Sequence, residues 1–334
     1  MIILLYFAGF RENVGADDHS YREVFTQVHN VFNENFLLSY SNYYKEPGFI
    51  FLTSLVKTFT DDYHLLFFIV SFFAISINIY YYYKYSPFVI LTIALYYVHT
   101  FLARDMNQIR AGLACAILLI SIQYIKNRNL FKFSIVIIIA SLFHVGALVF
   151  FVTYFITTTT YSRFTYLITL GMSIALSFLG LSELIVNSLP DSLGIVKNVL
   201  VNYYNSPMYK NAIYTFDITN IKQIVIATIF ILCLNKLRTK SDFFLILFNI
   251  YFIGVLWRLA FSDFGIFAAR FATFFTITEV ILIPYLLFCF TKRERLIVVF
   301  LILFYGFATL YLNIFQKEIK PVYEYKNFII EELK

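Results

Sequence analysis

Long apolar runs govern what this chain can become. Stretches at 63–83, 88–103, 109–125, 164–186, 221–235, 243–261, 267–290 and 296–315 carry two charged residues at most. Each approaches the roughly 17–25 residues that a helix needs to cross the hydrocarbon core of a bilayer. Inside lipid every backbone N–H and C=O must be satisfied within the protein, so such runs fold as helices. Only 14% of the residues are charged, against about 25% in soluble domains, which leaves little surface suited to water. The expected fold class is all-α, a polytopic integral membrane protein with about 9–11 membrane segments. It is expected as one transmembrane domain over 1–334, with outer-face loops at about 11–62 and 189–220. The net charge of +6 does not point to nucleic acid. Its basic residues are scattered between apolar runs, where a cytoplasmic bias of Lys and Arg accounts for them. Cys115, Cys233 and Cys289 lie inside apolar runs without paired spacing and read as small core hydrophobes.

Two regions do not fit a simple count of spans. Residues 1–10 make half a span, with no basic leader or small-residue cleavage site after them. Residues 133–157 are long enough for one tilted crossing, but Ser141, His144 and Gly146 interrupt the middle. Orientation decides between one crossing and two. If the chain turns back near His144 as a short helical hairpin, the loops 84–86, 126–132, 157–163, 236–242 and 291–295 share one side. Those loops hold Lys84, Lys126, Arg128, Lys132, Arg163, Lys236, Arg238, Lys240, Lys292, Arg293 and Arg295 against Asp242 and Glu294 alone. That asymmetry favours the hairpin with these loops inside, and puts His144 toward the outer face. The outer face then also carries 11–62, the short 104–108 turn, 189–220, 262–266 and the tail after 315. The stretch 49–60, after Glu46-Pro47-Gly48, is too short to span and reads as an interfacial or re-entrant helix. The loop 189–220, with Pro190, Gly194 and Pro207, reads as a cover over the outer end.

Four arginines sit at or just inside the outer ends of helices: Arg104, Arg110, Arg258 and Arg270. Arg11, in GFRENVGADDHSY, joins them. Charge against a bilayer is expensive and usually retained for function. Guanidinium forks suit phosphate, and a helix N-terminus adds amide donors beside Arg110 and Arg270. The alternative is structural: pairing with Asp17, Asp18, Asp105, Asp263 or Glu279, or snorkelling to the interface. Several arginines on one face favour an anionic ligand. His144, at the break of an apolar hairpin, is the candidate base or acceptor-orienting group. Asp17 stands second to it. His19, His29 and His64 lie in polar outer segments and are expected to be solvated, while His99 is expected to pack within a helix.

No phosphate-binding glycine loop, dinucleotide fingerprint, H-E-x-x-H or Cys/His pair at metal spacing is present, nor an Asp-x-Asp pair. An enzyme built from these residues is expected to take a lipid-linked donor, with no cofactor and no metal.

The blocks GFRENVGADDHSY, EPGF, RDMNQIRAGLA, SLFHVGAL and IFAARFATFFTITEVILIPY follow one another in an order that resembles the EpsG-type, Wzy-like polymerases of O-antigen and capsule assembly. The resemblance runs from about residue 8 to 285. It departs at the start, where the family has a complete first helix before GFR and this chain has half of one, so either the first helix is short or the chain starts upstream of Met1. It implies a fold resembling GT-C-like membrane glycosyltransferases, in a bacterial cytoplasmic (inner) membrane with its active site toward the periplasmic face. It also implies an enzyme that joins polyprenyl-diphosphate-linked oligosaccharide repeats and releases polyprenyl diphosphate. The arginines Arg110, Arg270, Arg104, Arg11 and, last, Arg258 would then hold the diphosphate, and His144 would act on the attacking hydroxyl. A chain-length regulator and a flippase of the same pathway are the implied partners, with no nucleic acid. The rivals are a lipid-linked oligosaccharide flippase and a membrane O-acyltransferase. The first usually shows internal repeats, and the second lacks an H-x-x-x-x-D motif at His144.

Overall fold

A computed structural model describes residues 1–15, 17–42, 46–188, 190, 201–202, 204–206, 213–315 and 325–329. Most of the expected cover at 189–220 and of the tail after 315 lies outside the described residues. The described elements are α1 (Ile2–Gly9), β1 (Arg11–Glu12), α2 (Asp18–Gln27), α3 (Leu38–Asn42), α4 (Pro47–Lys57), α5 (His64–Tyr85) and α6 (Val89–Tyr96). A π-helical segment, Tyr97–Asp105, continues α6. Then come α7 (Ile109–Lys126), α8 (Leu130–Phe143), a 3₁₀ segment (Val145–Val152), α9 (Thr153–Ile156), α10 (Arg163–Leu176) and α11 (Leu181–Ser188). The chain continues through α12 (Ile218–Leu237), α13 (Phe244–Ala260), α14 (Gly265–Thr276), α15 (Glu279–Leu282), a 3₁₀ segment (Ile283–Cys289), α16 (Lys292–Phe315) and β2 (Lys326–Asn327).

The protein is an all-α polytopic membrane protein. The strands amount to a two-residue antiparallel bridge that pairs Arg11 with Asn327 and Glu12 with Lys326. Among the described residues four helices are long and apolar enough to cross a membrane: His64–Tyr85, Ile109–Lys126, Ile218–Leu237 and Lys292–Leu312. Gly265–Thr276 with Glu279–Cys289, bent by 43°, makes a fifth if taken as one span. The other apolar runs fold into shorter helices, including Leu130–Phe143, Val145–Ile156, Arg163–Leu176 and Phe244–Ala260. Full-length spans are fewer than the runs suggested because the backbone breaks them. The 88–103 run changes to π winding at Tyr97, and the 133–157 run breaks at His144.

The chain divides into two compact units, one of residues 1–151 with 283–334 and the other of 152–282. In the first, α7 is the central helix. Ala111, Gly112, Ala114, Cys115 and Ala116 are all buried along it, and such small side chains let α5 and α8 approach closely. By contrast α16 leaves Leu296, Ile297, Phe300, Leu301, Phe304 and Phe307 exposed, a surface suited to lipid. The segment after His144 doubles back on α8, bringing the Phe151 ring within 5.7 Å of Phe133. This is the expected hairpin. In the second unit, α13 packs on α14, α10 and α12. Gly254 allows the first of these contacts, since a Cβ there would sit 2.8 Å from the Cβ of Phe275. Asn249 ties α13 down, accepting from the Tyr166 hydroxyl and donating to Thr157 O at 2.8 Å and Thr159 O at 3.0 Å.

Candidate functional site

Three sequence-distant segments meet at one end of the first unit, and each is held there by a local device. The first is the turn after the π-helix. Arg110 occupies the second position of α7, just past the N-cap residue Gln108. Gly15 and Asp17 seat on this turn. Gly15 has φ +106, and a Cβ there would lie 2.8 Å from Met106 O, so only glycine suits the position. Asp17 donates its backbone N–H to Asn107 Oδ1 at 3.1 Å.

The second segment is Glu46-Pro47-Gly48. Pro47 opens α4 and keeps Glu46 extended at φ −65, ψ 140. Gly48 brings α4 against the end of α8, because a Cβ there would meet Leu142 Cβ at 2.7 Å and Leu142 O at 2.8 Å. Lys57, in the last turn of α4, donates to Phe25 O at 2.9 Å and Thr26 O at 2.6 Å, fastening α4 to the end of α2.

The third is the hairpin turn. His144 leaves α8 in an extended conformation (φ −156, ψ 111), and its Nδ1 accepts the Gly146 N–H at 3.2 Å. With that lone pair engaged, the neutral ring carries its proton on Nε2 and acts as a donor.

These segments close around Glu46. One carboxylate oxygen accepts from Arg110 Nη1, and the other accepts the Val145 N–H at 3.4 Å. The Arg110 guanidinium lies 5.8 Å from the ring centroids of Tyr21 and Phe49, and its Nε has no hydrogen-bond partner among the described residues. Both partners keep some access, at 18% exposure for the Arg110 side chain and 14% for Glu46. Burial pushes the Tyr21 hydroxyl up to about 12 despite the nearby arginine, so it remains a donor at neutral pH. The arrangement pairs a guanidinium with a carboxylate beside the backbone of the hairpin turn.

Each remaining candidate has surroundings of its own. Arg11 is fully enclosed, stacked 4.2 Å from the Phe67 ring, with Nη1 on Ala8 O and Nε 3.9 Å from Asp18. Burial lowers its guanidinium to about 10 against the pull of Asp18, and burial raises the Asp18 carboxyl. Arg104 donates to Cys115 Sγ at 3.3 Å, while its neighbour Asp105 accepts from the Tyr96 hydroxyl. In the second unit, Arg258 bonds Asn220 at 2.8 Å and Asp217 at 3.1 Å, which ties it to the N-terminus of α12. Arg270 is exposed on α14 and has no ion pair among the described residues. Of the acids expected to pair with arginines, Asp263 instead binds Ser182 and Glu279 binds Lys222 at 2.8 Å.

His64 departs from its expected solvated state. It is 4% exposed, between Glu12 at 2.9 Å and Asp62 at 2.6 Å, and its ring stacks 4.2 Å from Phe328. Charge partners on both sides and the C-terminal strand above it explain the burial. His99 packs against Tyr305, with ring centroids 5.0 Å apart. Glu46 escaped sequence reasoning as a site residue. Its signal was a lone acid directly before Pro-Gly at the head of an apolar stretch.

Compared with known proteins, residues 1–327 match the EpsG family. The chain is also 30% identical over 320 residues to the amylovoran biosynthesis protein AmsC of Erwinia amylovora, covering 92% of this chain and 82% of that protein. No solved structure matches the chain.

Proposed function

This chain belongs to the EpsG family, and from that premise we propose that it is a membrane glycosyltransferase that polymerises polysaccharide. Its donor is an oligosaccharide repeat linked to polyprenyl diphosphate, presented at the outer face of a bacterial cytoplasmic membrane, and the polymer is an O-antigen, capsular or exopolysaccharide. The hydroxyl of one repeat attacks the anomeric carbon of the donor chain, polyprenyl diphosphate leaves, and direct displacement inverts that carbon. The observation that carries this reading is the meeting of Arg110, Glu46 and the His144 turn in a helix-built site.

Each group suits the chemistry. A departing diphosphate gathers negative charge, which arginine stabilises as a fixed, permanently charged donor. Arg110 at a helix N-terminus meets that need with backbone N–H groups beside it. Arg270, in the second unit, is exposed and without an ion pair among the described residues, which suits an arginine that meets an anionic ligand. His144, with Nδ1 held by Gly146, serves as the acceptor-orienting group.

Purified protein in liposomes with polyprenyl-diphosphate-linked repeats tests the reading. A polymerase yields a ladder of longer lipid-linked chains. A translocase would move the repeats across the bilayer without lengthening them, and an acyltransferase would leave chain length unchanged.

A further inference from the structure

We propose that Glu46 is the catalytic base of the transfer, gated by its ion pair with Arg110; this rests on the polymerase reading above. The transfer needs a group that takes the proton of a weakly acidic sugar hydroxyl. His144 is poorly arranged for that task, since the Nδ1 lone pair already receives the Gly146 N–H and the proton sits on Nε2. Tyr21 is held protonated by burial. Asp18 and Asp105 are sealed, each 2% exposed. Glu46 is a carboxylate with residual access, an acceptor that adjoins both the hairpin turn and a guanidinium suited to phosphate.

The pair supplies a gate. While Arg110 holds Glu46, the guanidinium occupies one of the two carboxylate oxygens and keeps it from an incoming hydroxyl. An arriving diphosphate competes for the guanidinium, whose Nε has no partner among the described residues. As the guanidinium turns to the phosphate, the carboxylate oxygen that it leaves is open to the acceptor hydroxyl. The backbone N–H of Val145 keeps the carboxylate aimed during the exchange.

In the step itself the acceptor hydroxyl gives its proton to Glu46, and its oxygen bonds the anomeric carbon. The bond from that carbon to the phosphate oxygen breaks, and the electron pair leaves on polyprenyl diphosphate facing Arg110. Glu46 releases its proton to water, and the product stays attached to the lipid of the acceptor repeat.

Glu46→Gln tests this, because the amide oxygen still accepts from Arg110 while the proton can no longer be taken, at the loss of the longer bond from Val145. In proteoliposomes, kcat for chain growth is expected to fall by about 10²–10⁴-fold. Binding of polyprenyl diphosphate, measured separately, stays at the wild-type level or tightens. Formate restores part of the turnover to Glu46→Ala by supplying a free carboxylate. A Glu46→Gln protein with wild-type kcat overturns the assignment. So does a variant whose defect is lost diphosphate binding, since Glu46 would then be structural. Absence of any chain growth by the wild-type protein is a different result and removes the polymerase reading itself.

Discussion

The rings of Phe133 and Phe151 lie 5.7 Å apart, although a continuous helix from 133 to 151 would hold them about 27 Å apart. The chain therefore reverses between them, and the reversal is at His144, where α8 ends in extended backbone. Two short antiparallel pieces replace one long crossing. A segment that turns back at His144 is expected to start and end on one side of the membrane.

That geometry sets a labelling experiment. With Cys115, Cys233 and Cys289 replaced, single cysteines at 127–131 and at 158–162 are expected to react with impermeant reagents from the same, cytoplasmic side. Reaction from opposite sides would mean that the segment crosses once, and would move His144 to mid-membrane.

The sequence made the hairpin legible through charge, because a single crossing would have scattered the basic loops over both faces. It also marked the segments that meet, since GFRENVGADDHSY, EPGF, RDMNQIR and SLFHVGAL supply Asp17, Glu46, Arg110 and His144. What it did not reveal was which partner each charge would choose. Glu46 took Arg110 because Pro47 and Gly48 fix where α4 starts and how near it comes to α8, a matter of backbone shape that hydropathy does not report. His64 is buried because Glu12, Asp62 and Phe328 reach it from segments far apart in the chain. Five arginines looked alike in sequence, yet Arg11 and Arg258 are locked into local pairs while Arg270 is exposed.

Arg11 is enclosed on Phe67 and beside Asp18, so its replacement is expected to cost stability and not ligand affinity. Arg11→Met keeps the stacking volume but leaves Asp18 short of one buried partner, at a cost of about 3–5 kcal/mol. The thermal midpoint in detergent should fall, with diphosphate binding by the folded fraction unchanged. A stable variant that no longer binds diphosphate would instead make Arg11 a ligand.

Arg110→Ala and Arg270→Ala are each expected to abolish long chains while the protein still inserts. Lysine should restore activity only in part, because an ammonium lacks the bidentate fork. Chain-length profiles on gels, beside membrane-fraction blots, measure both. Full polymer from both alanine variants would rule out the diphosphate clamp.

The last prediction separates His144 from Glu46. With Nδ1 accepting from Gly146, the imidazole offers the Nε2 proton, and a donor can orient a sugar without taking a proton from it. Glutamine places an amide N–H near the position of Nε2, so His144→Gln should keep most of the chain-growth rate. His144→Ala removes both the donor and the brace on the turn, and should slow growth strongly with diphosphate binding spared. The pH profile adds an independent measure: a group that only orients the sugar leaves the acid limb of kcat/KM to another group, so His144→Gln should keep that limb where the wild type has it. If His144→Gln is as slow as His144→Ala and the limb is lost with it, the imidazole carries the proton. The base would then be His144 and not the carboxylate across the turn.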